Sequence, residues 1–149
     1  MEKCADMLKA KKFQTKVAAA ASKNGYTLSF CYDPECLDLF YVSIVKDKIK
    51  NKGYYSQIVL SIESVDNIIN WLFEASIGND ISSLYVPCVS YCEILSFDKI
   101  DNAIYVQLYQ VASFPKQRRG KTDDEFSMDI LTARKLSKEL KQFREFQDL

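Results

Sequence analysis

A chain of 149 residues that is 48% hydrophobic, with only four Gly and three Pro, can bury one core and has little room for long linkers. Twenty Lys and Arg balance twenty Asp and Glu, which excludes a whole-molecule field that would recruit nucleic acid or an anionic membrane. Histidine is absent, so Ser-His and Cys-His nucleophiles, HExxH zinc chemistry and His-ligated metals are excluded as well.

The opening Met1-Glu2-Lys3-Cys4-Ala5-Asp6 carries charges where a secretory signal has its apolar run. No stretch reaches the roughly 18 uninterrupted apolar residues of a membrane span. Both observations lead to the expectation of a cytoplasmic protein, and the odd number of cysteines (Cys4, Cys31, Cys36, Cys88, Cys92) favours free thiols there.

From Ala5 to Lys23, Ala10, Phe13, Val17, Ala20 and Ala21 recur at helical spacing and predict a first helix, which Asn24-Gly25 ends. Tyr26–Asp33, Leu37–Lys46 and Tyr54–Glu63 are rich in β-branched and aromatic residues and read as an antiparallel meander. Ser64 is expected to cap a helix burying Ile68, Ile69, Leu72 and Ala75, with Gly78-Asn79 as its stop. Cys88–Asp98, started by Pro87, and Ala103–Phe114 read as two long strands joined at Asp101-Asn102. A short strand over Glu125–Leu131 precedes a helix from Thr132 to about Gln147, with Ala133, Leu136, Leu140 and Phe143 on one side. No internal repeat stands out. The chain, 1–149, is thus expected to be a single α+β domain: a curved antiparallel sheet of five or six strands with helices on one face, in the order α-β-β-β-α-β-β-(β)-α.

Strand alternation divides that sheet into two unlike faces. Leu28, Phe30, Phe40, Val42, Ile44, Ile58, Leu60, Ile62, Ile104, Val106, Leu108, Ala112 and Phe114 form the side under the helices. The other side collects Tyr41, Tyr55, Gln57, Tyr105, Gln107 and Tyr109 with Ser29, Cys31, Ser43 and Ser61. Tyrosine offers a large rigid ring and one hydroxyl at small entropic cost, which suits an interface. The plainer reading is that tyrosine is a good strand former on a wet face.

Other motifs are weaker. Cys31-x4-Cys36 and Cys88-x3-Cys92 depart from the C-x2-C knuckles of a zinc ribbon and read better as small packed side chains, so no metal is implied. No phosphate-cradling glycine loop or nucleophile elbow occurs, no catalytic residue can be named, and nothing implies a cofactor. Lys116, Arg118, Arg119 and Lys121 could grip nucleic-acid phosphates, although Asp123, Asp124 and Glu125 follow directly and offset them. Lys46, Lys48, Lys50 and Lys52 are best read as guards against edge-to-edge pairing. Bases gather in the first 24 residues and acids between Tyr54 and Phe114, a separation that would either drive head-to-tail self-association into a homo-oligomer or merely dock the first helix near the middle strands.

The predicted order α-β-β-β-α-β-β-α resembles that of class I type III secretion chaperones, small dimers that bind an extended segment of an effector. That resemblance implies a dimer binding an extended peptide. The residues themselves favour a non-enzymatic binding or adaptor protein that meets a partner, most naturally another protein, through the tyrosine-bearing face or an edge. Nucleic-acid binding by the 116–121 loop, and a small-ligand or enzyme pocket in the curved sheet, are the alternatives.

Overall fold

The computed structural model describes residues 15–23, 25–36, 38–46, 56–78, 80–111 and 126–147. Strands β1 (Thr15–Ala21), β2 (Tyr26–Tyr32), β3 (Leu39–Lys46) and β4 (Ser56–Ser61) form one antiparallel sheet in that order, and helix α1 (Ile62–Ser76) follows at once. Strands β5 (Leu84–Pro87), β6 (Glu93–Ile100), β7 (Ala103–Gln110) and β8 (Phe126–Asp129) form a second sheet in sequence order, followed directly by helix α2 (Ile130–Gln147). The class is α+β as expected. The single sheet of five or six strands is corrected to two sheets of four.

Two local misreadings account for the difference. Thr15–Ala21 was expected to end a helix but is a strand, with Ala18 opposite Phe30 and Ala20 opposite Leu28. A run of alanines fits both periods, and the open edge of β2 supplies a backbone ladder that overrides alanine's helical preference. Burial confirms period two, since Ala18 and Ala20 are buried while Ala21 is exposed. Their small side chains leave room for α2, which packs across β1. The second misreading lies in Cys88–Asp98, where Cys88–Cys92 is a turn and the strand starts only at Glu93. Pro87 ends β5, at a sheet edge where its missing N–H is tolerated. The core-face candidates Ala112 and Phe114 lie outside the described residues.

The helix caps also sit one turn earlier than the sequence suggests. Ser61 rather than Ser64 caps α1, accepting the Ser64 N–H at 3.2 Å, and Asp129 rather than Thr132 caps α2, accepting the Thr132 N–H at 2.7 Å. Each strand runs straight into its helix, so the polar residue that closes the strand is the one left with extended backbone and a free side chain. The Thr132 bonds hold the Asp129 carboxyl below its ordinary pKa. Its stabilising contribution is therefore present above the ordinary carboxylate pKa and disappears as pH falls through the depressed folded value. Asp129→Ala is expected to cost about 1 kcal/mol at neutral pH. Asp129→Asn should retain most of the cap while flattening that acid limb, as urea titrations carried from neutral pH into the carboxylate range would show.

The pairing registers reveal a duplication. Ala18 and Ala20 answer to Leu84 and Val86, Leu28-Ser29-Phe30 to Leu95-Ser96-Phe97, Tyr41-Val42 to Tyr105-Val106, and Ser61 to Asp129. The described residues thus form two ββββα units, with one tripeptide and one dipeptide identical between them. Unequal connections hide the repeat from a linear reading: β2 and β3 are joined through Asp33–Asp38, whereas β6 and β7 are joined by Asp101-Asn102 alone. Asp101 takes φ +56° there, a conformation that Asp and Asn tolerate better than most residues.

Helices α1 and α2 lie antiparallel. Arg134 donates to the Ser76 carbonyl at 2.7 Å, the Ser137 hydroxyl to the Ile69 carbonyl at 2.9 Å, and Arg144 forks onto Asp66 at the other end. Buried side chains of both sheets and both helices form one connected cluster. Phe143 of α2 stacks edge-on to Tyr32 and Phe40 of the first sheet, while Trp71 of α1 meets Phe97 of the second at 5.8 Å. The sheets also meet along their margins, where the Val89 N–H donates to the Val59 carbonyl at 2.9 Å. Among the described residues no helix is long and apolar enough to cross a membrane.

Candidate binding surface

The core uses one face of each sheet, so the candidate surface must come from the other. On the first sheet, cross-strand pairing sets Ala19, Ser29, Ser43 and Gln57 in one row and Cys31, Tyr41 and Val59 in the next. On the second, Tyr85, Ser96 and Gln107 form a row, Asp98, Tyr105 and Ser127 another, and Ile94 faces Tyr109. The six expected contact residues are therefore divided. Tyr41 and Gln57 belong to one sheet, Tyr105, Gln107 and Tyr109 to the other, and Tyr55 lies outside the described residues.

Two of the rings are already occupied internally. Tyr41 is only 4% exposed and Tyr109 only 3%. Burial raises the pKa of the Tyr41 phenol, with nearby Cys36 and Asp33 adding to the effect. The Tyr109 hydroxyl donates to Gln107 Oε1, and the Ser96 hydroxyl reaches the Gln107 carbonyl at 3.3 Å. Asp98, buried on the same side, accepts from the Ser83 hydroxyl. Tyr105 and Gln107 are the members of the expected set on this sheet that keep substantial exposure.

A different group presents apolar surface here. Val89, Tyr91 and Val111 are exposed at the tip of the second sheet, Tyr91 to 73%, and Pro87 and Tyr85 continue outward along β5. Backbone bonds hold this tip together. The Val111 N–H reaches the Cys92 carbonyl at 3.0 Å, the Tyr91 N–H reaches the Cys88 carbonyl at 2.9 Å, and Val89 is tied to β4 as described. Tyr91 sits at φ +61°, a left-handed backbone that few non-glycine residues adopt. Treating Cys88–Asp98 as one strand conceals these residues. The signal that could have found them is Pro87 followed shortly by Ser90, a pairing that favours a turn.

No protein-family model, curated protein or solved structure matches the chain.

Lys116, Arg118, Arg119 and Lys121 lie outside the described residues. Cys31 and Cys36 belong to the first sheet and its following turn, Cys88 and Cys92 to the tip of the second, and no group of three or more metal-ligating side chains is assembled among the described residues. Two open cavities stand out. One of about 460 Å³ lies where Tyr32, Ile62 and the end of α2 meet, and one of about 390 Å³ follows the seam between β1 and β8, lined by Ala21, Ala103, Met128 and Asp129.

Proposed function

We propose that this chain is a non-enzymatic binding protein that engages another protein through the tip and outer face of its second sheet. The supporting observation is the exposed group Val89, Tyr91 and Val111, held in place by backbone hydrogen bonds from three separate segments. Apolar and aromatic side chains that stand together at the surface on a fixed backbone mark interaction sites more often than scattered ones do. A pre-ordered platform also avoids much of the entropy loss that binding would otherwise impose. Tyr105 and Gln107, partly exposed further along β7, would supply polar contacts. Pro87 withholds an N–H at the end of edge strand β5, which disfavours adding a partner strand there and points to the face and tip instead.

The test is a triple substitution, Val89→Ser, Tyr91→Ser and Val111→Ser, in the full chain. Because all three side chains are exposed, the melting temperature should stay close to that of the parent. Truncating such contacts typically costs about 1–2 kcal/mol each at an interface centre, so partner recovery in a cross-linking pull-down should fall about tenfold or more. Recovery of the same cross-linked partner in equal yield would remove the tip from consideration.

A further inference from the structure

The turn that carries the tip also holds two thiols. Cys88 closes β5, its N–H bonded to the Glu93 carbonyl at 3.0 Å, and Cys92 enters β6 on the opposite limb. Both sulfurs converge on Ser90: Cys88 Sγ lies 3.1 Å from the Ser90 hydroxyl, and Cys92 Sγ lies 3.7 Å from the Ser90 carbonyl. Their environments differ sharply, since Cys88 is buried and Cys92 exposed.

The backbone of the turn is shaped around the buried sulfur. The left-handed step at Tyr91 makes successive N–H groups converge, as in the nests that hold anions elsewhere in proteins. Burial alone would resist ionisation of Cys88, but the Ser90 hydroxyl and the N–H groups of Glu93, Cys92 and Ser90 directed at Sγ outweigh it and lower its pKa. The residues on either side of Cys92 are both bonded to the Cys88 backbone, the Tyr91 N–H to its carbonyl at 2.9 Å and the Glu93 carbonyl to its N–H at 3.0 Å, which sets Cys92 next to Cys88 across the turn.

We propose that Cys88 and Cys92 form a peroxide-responsive dithiol site, in which Cys92 is the entry thiol and Cys88 the resolving thiol. The thiolate of Cys92 attacks one oxygen of hydrogen peroxide or an organic hydroperoxide, giving a sulfenic acid and releasing water or an alcohol once the leaving oxygen is protonated. The thiolate of Cys88 then attacks the Cys92 sulfur, the S–S bond forms, and the hydroxyl leaves as water. In sum two thiols are oxidised, one peroxide is reduced, and the thiol hydrogens end up in the water and alcohol released. Exposure decides which sulfur meets the oxidant first, and the hydrogen-bonded thiolate beside it supplies the second nucleophile. This site is independent of whether the tip binds a protein.

The experiment exposes the full chain to graded hydrogen peroxide, alkylates the remaining thiols, and measures the tryptic peptide ending at Lys99, which contains both cysteines. Cys88 and Cys92 should escape alkylation together, at doses that leave Cys31 and Cys36 alkylated, in a peptide lighter by two hydrogens and restored by dithiothreitol. With Cys92→Ser, a conservative change at an exposed position, Cys88 should stay reduced at the same dose. With Cys88→Ser, Cys92 should accumulate as a dimedone-reactive sulfenic acid. Oxidation of Cys92 to sulfinic acid while Cys88 remains alkylated, or pairing of either with another cysteine, would overturn the assignment.

Discussion

Phe30→Ala and Phe97→Ala are each expected to destabilise the protein by about 3–5 kcal/mol, the usual range for emptying a fully packed aromatic site. Both rings have no exposed surface, and they occupy equivalent places in the two units, Phe30 opposite Val42 and Phe97 opposite Val106. A loss of that size is a large part of the roughly 5–15 kcal/mol that holds a typical domain together. Because one cluster of buried residues links both sheets, each substitution should lower the midpoint of a single urea transition instead of melting one half alone. Two separated transitions in either variant would show that the units fold independently and that the shared cluster contributes little.

Trp71→Ala should cost a similar amount, about 3–5 kcal/mol, and Trp71→Phe distinctly less. Trp71 is the side chain through which α1 grips the second sheet. Its ring meets Phe97, and its Nε1–H reaches the Ser82 carbonyl at 2.7 Å, fastening the segment that leads into β5. Phenylalanine retains most of the apolar contact but loses the bond to the exposed Ser82, a loss of about 0.5–1.5 kcal/mol. The sole tryptophan of the chain is also its own reporter, with emission that should shift to longer wavelength on unfolding. An alanine variant as stable as the parent would mean that α1 is held by its contacts with α2 and β4.

Several elements were legible in the residues because local chemistry and tertiary packing agree there. The 3.6-residue period of Ile68, Ile69, Leu72 and Ala75, and of Ala133, Leu136 and Leu140, survives as the buried faces of α1 and α2. Gly78 ends α1 at φ +89°, and Asp101-Asn102 joins β6 to β7 as their turn preference requires. Alternation placed Phe30, Val42, Leu60, Ile104 and Val106 on the core side. Helical spacing misled at Thr15–Ala21, where small residues fit either period, and alternation at Val89–Cys92, where a turn interrupts what looks like continuous strand composition.

The candidate surface was harder to see for a related reason. Alternation tells which side of a strand a tyrosine occupies, but it says nothing of which sheet the strand joins or what covers the ring. Tyr41 and Tyr109 follow the expected alternation and are nevertheless buried, while Tyr91, which no periodicity singled out, is the most exposed large apolar side chain among the described residues.

By itself, then, the order of residues determined the α+β class, both described helices and most of the core, because these depend on short-range periodicity and on turn and cap chemistry acting over a few neighbours. Only the tertiary structure decided the split into two sheets, the repetition of the ββββα unit among the described residues, and the placing of Cys88 and Cys92 at the two ends of one turn. Each of these is set by strand pairing and register, which arise from backbone groups common to every residue and leave little imprint on side-chain order.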